Sequence, residues 1–141
     1  MPPGPTLNEA FKERGLHNVV KIEVYPLERD QVVITFESVA PGHRQGIWLK
    51  TDRGIWVNDQ LCPSVELWQD TAPPSVTCRC ASSDGRLFLY NIWERDGVRS
   101  SLALSSGMLV DQLPSGRRYR CNDIGWDTAF DRLVFRVEDQ K

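Results

Sequence analysis

The chain has 141 residues, 40% hydrophobic and 26% charged, with 17 Lys and Arg against 19 Asp and Glu for a net charge of −2. That length suits one hydrophobic core, and the near-balance of charge removes the concentrated basic footprint that a nucleic-acid partner needs. No stretch approaches the ~18 uninterrupted apolar residues of a membrane span, and Met1-Pro2-Pro3-Gly4-Pro5 has neither the charged nor the apolar region of a secretory signal, so a cytoplasmic protein without a membrane partner is expected.

Residues 1–5 read as a flexible start. Thr6-Leu7-Asn8-Glu9 then has the spacing of a capping box, which predicts a short helix over 6–15 with Thr6 as cap, Glu9 reaching back and Gly15 as the stop. From Asn18 onward the apolar period changes from 3.6 to 2. Val20, Ile22 and Val24 alternate with Lys21 and Glu23; Val32, Ile34 and Phe36 with Val33, Thr35 and Glu37; Leu133, Phe135 and Val137 with Val134, Arg136 and Glu138. Each pattern is that of a half-buried strand. Further strands are predicted at 46–50, 55–58, 65–68, 76–81, 86–94, 98–104, 108–112 and 117–121. Turn signals separate them: Thr51-Asp52-Arg53-Gly54, Asp84-Gly85, Asp96-Gly97 and Pro114-Ser115-Gly116. Many short strands joined by tight turns make one all-β domain over 1–141, an antiparallel β-sandwich or jelly roll with a short N-terminal helix. A small calycin-like β-barrel is the alternative.

The Thr51–Gly54 turn carries a register argument. With Gly54 in a left-handed bulge position, Lys50 would pair with Trp56, Leu49 with Val57 and Trp48 with Asn58. Aliphatic residues would then share one face, while Trp48, Lys50, Trp56 and Asn58 share the other, and Trp68 repeats the split in the next strand. Indoles on the second face call for another apolar layer, a ligand or a partner. The leading expectation is therefore a domain that binds a small molecule, a sugar or an apolar metabolite, through Trp48, Lys50, Trp56, Asn58 and Trp68. An interaction module, a homodimer among the options, would use the same face as its interface.

A cofactor-independent cyclase, isomerase or hydrolase is the enzymatic alternative. Glu66 and Asp70 flank Trp68 and Glu94 follows Trp93, and a carboxyl beside apolar rings can serve as an acid or base. Motifs for phosphate cradling, metalloprotease zinc or a nucleophile elbow are missing, so no cofactor is expected. Cys62, Cys78, Cys80 and Cys121 read as free thiols, with Cys78 and Cys80 facing the core beside Val76. Asp123, Asp127 and Asp131 crowd carboxylates before the last strand and are the best metal candidates in the chain, but turn capping is the favoured reading and no metal is expected. Arg117, Arg118 and Arg120 around Tyr119 read as the solvated end of a hairpin, and Asn91, inside the apolar run from Leu87 to Trp93, as a buried amide in need of partners.

Overall fold

The computed structural model describes residues 4–126 and 129–140. It is antiparallel throughout. The strands are β1 (Thr6–Leu7), β2 (Val20–Pro26), β3 (Gln31–Val39), β4 (Arg44–Val57), β5 (Gln60–Trp68), β6 (Ser75–Cys80), β7 (Arg86–Arg95), β8 (Val98–Ser101), β9 (Gly107–Leu113), β10 (Gly116–Asn122) and β11 (Leu133–Asp139), with one helix, α1 (Glu9–Lys12). Hydrogen-bonded neighbours run β2-β9-β10-β11-β3-β6-β4-β7, and β7 returns to β2 through Glu23↔Leu89 to Pro26↔Arg86. That last ladder closes eight strands into a barrel. The sandwich or jelly roll expected from sequence is thus replaced by the barrel alternative, because β2 pairs along two edges and leaves no seam between separate sheets.

Alternation fills the barrel as the sequence predicts for β3 and β11. Val32 and Ile34 are buried facing Leu133, Phe135 and Val137, and Cys78 and Cys80 of β6 join the same core. The ring of Phe135 stacks on Tyr119 at 5.0 Å. In β2 the expected face is reversed partway. Pairing steps from Leu7↔Val20 to Thr6↔Ile22, two residues of β2 for one of β1, and such an extra residue shifts the phase of the alternation. Val20 is therefore buried, but beyond Lys21 it is Glu23 and Tyr25 that enter the core, while Ile22 and Val24 are only partly covered.

Three other expectations change. Thr6 and Leu7 pair with β2, so the helix starts later and Asn8 is its cap, accepting from the Ala10 N–H at 3.0 Å. Thr51–Gly54 is not a hairpin turn. β4 runs through it as a corner, held by Thr51 Oγ1, which accepts from the Gly54 N–H at 2.9 Å and reaches the Ala81 carbonyl at 2.6 Å. The hairpin reverses at Asn58-Asp59, both with positive φ (51° and 63°), as a two-residue turn requires. Lys50 therefore faces Ser64 and Trp48 faces Glu66, in place of Trp56 and Asn58. Gly54 at the corner has φ +100°, and a Cβ there would sit 2.9 Å from the Cys62 carbonyl. Finally, the three arginines of β10 are not a solvated hairpin end: Arg117 pairs with Glu23, Arg118 with Glu37 and Arg120 with Asp111.

Candidate functional site

The predicted ligand residues are distributed over the outside of the barrel. Trp48 lies flat on Tyr90, with ring centres 4.5 Å apart and planes 17° from parallel. Trp56 is covered by the Arg79 guanidinium and Trp68 by that of Arg44, at 5.3 and 4.4 Å from the ring centres. Trp68 also crosses Gly46 so closely that a Cβ at Gly46 would come within 2.9 Å of its ring and 2.7 Å of the Leu67 carbonyl. Lys50 belongs instead to the rim of the Thr51–Gly54 corner.

Asn58, Glu66 and Trp68, however, do meet. They line a cleft of about 390 Å³ between β5 and β6 whose floor is Val57, Leu67 and Val76. The cleft exists because β4 changes partners at its corner. Among the described residues β5 is hydrogen-bonded only to β4, and β6 joins β4 only at Ile55↔Cys80 and Trp56↔Arg79, so the strand edges from Glu66 to Trp68 and from Ser75 to Thr77 border the cleft without a ladder between them. Pro73 and Ala72 in the connecting loop complete the wall, and Thr71, Ser75 and Thr77 add hydroxyls at the rim.

The candidate acids do not form one catalytic group. Asp70 and Glu94 sit on either side of Arg44, at 2.8 and 3.2 Å, and Glu66 is held by Arg99. Only Glu66 lines the cleft.

The loop carboxylates divide as well. Asp123 is buried at 2% exposure; it accepts from His43 Nδ1 at 3.0 Å, Gln45 Nε2 at 2.9 Å and the Ile124 N–H at 2.7 Å. Asp131 is exposed, and Asp127 lies outside the described residues. Among the described residues no three His, Cys, Asp or Glu side chains are grouped to hold a metal. The His43–Asp123 pair spans 80 positions and gives no local signal in the sequence. Asn91 resolves as a structural amide, donating to the Asn122 carbonyl at 2.9 Å.

A polar group that sequence reasoning missed lies inside the barrel. Glu23, 1% exposed, accepts from Tyr119 Oη at 2.8 Å and from Arg117 at 3.0 Å, and its other oxygen takes the Val24 N–H at 3.0 Å. Tyr25 donates to Asp139 at 3.3 Å. Burial, reinforced by the adjacent carboxylates, pushes both phenols above the usual tyrosine range. An arginine and a tyrosine two apart on β10 with a glutamate in β2 carry no sequence pattern, because the phase shift at Lys21 alone turns Glu23 inward.

Comparison with protein-family models, curated proteins and solved structures gave no significant match.

Proposed function

We propose that the protein binds a small, mainly apolar molecule in the cleft between β5 and β6. The observation that carries this reading is the unladdered seam itself: a concave space of about 390 Å³ with an aliphatic floor, an indole at one side and hydrogen-bonding groups at the rim. Known ligand sites of this size share that composition, apolar lining for contact area and a few polar groups for orientation. Val57, Leu67 and Val76 would take the apolar body, Trp68 would flank it, and Asn58 and Thr71 would fix one polar end. Arg44 already covers one side of the Trp68 ring, which holds the indole in place before a ligand arrives.

Binding is favoured over catalysis because only one of the three candidate acids reaches the cleft, and that one is paired with Arg99. A fragment library of planar and aliphatic compounds, read by ligand-observed NMR, tests the proposal. Hits should compete with one another and be lost in Thr77→Phe, which fills the rim from an exposed position, and Trp68→Ala should weaken them about tenfold, the loss of ~1.4 kcal/mol of contact. Hits that survive both substitutions, or a library without hits, would overturn it.

A further inference from the structure

Beside Tyr25, Pro26, Glu28 and Arg29, the Pro114-Ser115 turn and Asp139 lies a second and larger cleft, of about 500 Å³, which shares no lining residue with the β5–β6 seam. Its wall carries two charges of each sign: Glu28 and Asp139 against Arg29 and Arg117. Several arginines elsewhere are paired within the fold. Arg44, Arg99, Arg118, Arg120 and Arg136 each have a carboxylate partner. Glu28 and Arg29 are exposed neighbours that make no ion pair among the described residues, and among the described residues the Asp139 carboxylate accepts only the 3.3 Å bond from Tyr25.

The floor is different. Arg117 is anchored to the buried Glu23 at 3.0 Å, and Tyr119 bonds the same carboxylate oxygen, so this guanidinium is fixed in place before anything binds. A buried ion pair contributes little stability compared with apolar residues of the same volume. It does set a charge-bearing group at a defined position, which is the arrangement a recognition site needs.

A ligand with one charge would satisfy one pair of these groups and oppose the other. A ligand with both charges close together satisfies all of them, because charge-assisted hydrogen bonds form at both of its ends. We propose that this cleft binds a zwitterion of the amino-acid class, a free α-amino acid or a dipeptide, with its carboxylate on Arg29 and Arg117 and its ammonium on Glu28 and Asp139. Leu113, Pro26 and Pro114 offer apolar edges for a side chain, and a volume of about 500 Å³ leaves room for a large one.

The test is isothermal titration or ligand-observed NMR with phenylalanine, glycine and diglycine, each compared with its N-acetylated and its amidated form. At least one free zwitterion should bind, and each blocked form should bind at least tenfold more weakly. Arg29→Gln should erase the discrimination against the amide, and Glu28→Gln should reduce that against the N-acetyl form; both residues are exposed, so folding is preserved. Thr77→Phe should leave this binding unchanged, which separates it from the seam. No binding by any of the three zwitterions would overturn the proposal. So would equal binding of free and blocked forms, or affinity indifferent to both loop substitutions.

Discussion

The two ends of the barrel are built on opposite rules. At the end that carries Asp123, buried amides bond to backbone. Asn122 Nδ2 donates to the Ser105 and Gly125 carbonyls, both at 2.8 Å, and Asn8 Nδ2 to those of Leu104 and Ser106 at 3.0 and 2.7 Å. A small apolar cluster of Phe11, Val19 and Phe130 packs beside them, with the Phe11 ring 5.1 Å from that of Trp126. Loops that would otherwise present unpaired carbonyls are thereby tied down, and the end is closed. At the other end Glu23, Arg117, Tyr119, Tyr25 and Asp139 bond to one another. Side chains are fixed there, the backbone around them is not drawn across, and a cleft remains. Main-chain partners tie down the loops at the first end, whereas at the second the side chains hold one another beside the cleft.

The largest expected effect acts on both ends together. Burial pushes the thiols of Cys78 and Cys80 up from the ordinary thiol value of 9.0 to about 11 and about 12, and it also raises Cys121, Tyr25 and Tyr119. Each of these groups ionises more easily in the unfolded chain, so their contribution is complete below pH 9 and lost as pH climbs toward the folded values. The two β6 thiols alone account for on the order of 6 kcal/mol by pH 12. Chemical denaturation at intervals from pH 8 to 11 should give steadily falling stability; a flat profile would mean that these thiols are not buried. At pH 8, iodoacetamide should label Cys62 ahead of the other three cysteines, which are buried.

Asn122→Ala comes next. It orphans the buried Ser105 carbonyl and removes the partly buried bond to Gly125, for a loss of about 2–4 kcal/mol, and hydrogen exchange should accelerate in segments 102–106 and 122–126. Glu23→Gln should cost less, about 1–3 kcal/mol, since Arg117 is partly exposed and can turn to water. Its signature is loss without faster exchange at the closed end. If both variants loosen the same loops, the two ends are one cooperative unit and the contrast fails. His43→Ala should be milder still, about 1 kcal/mol by thermal melting, because Asp123 keeps Gln45 and the Ile124 amide. Arg29→Gln should leave the melting temperature unchanged, as an exposed side chain without an ion pair among the described residues should.

Much of the fold is legible in the residues. Alternation in β3 and β11, the paired inward cysteines of β6 and the Asp96-Gly97 hairpin, with φ of 52° and 77°, follow from side-chain size and local backbone preference. Of the candidate site, Trp68, Asn58 and Glu66 come together, but for a reason the sequence did not contain: β4 turns a corner where a hairpin was expected.

Local pattern determines which residues share a face within one strand, because neighbouring side chains point to opposite sides whatever the strand pairs with. It does not determine which edges meet. Closure of β2 on β7, the corner at Thr51 and the extra residue at Lys21 each depend on partners far along the chain, the last known only through Thr6 and Leu7. A shift of one residue exchanges the two faces of a strand. Sequence alone therefore settled that this chain is all-β and which aliphatic residues form most of its core, while tertiary pairing decided that the sheet closes, that Glu23 is inside, and that Trp48, Trp56 and Trp68 lie on its outer wall.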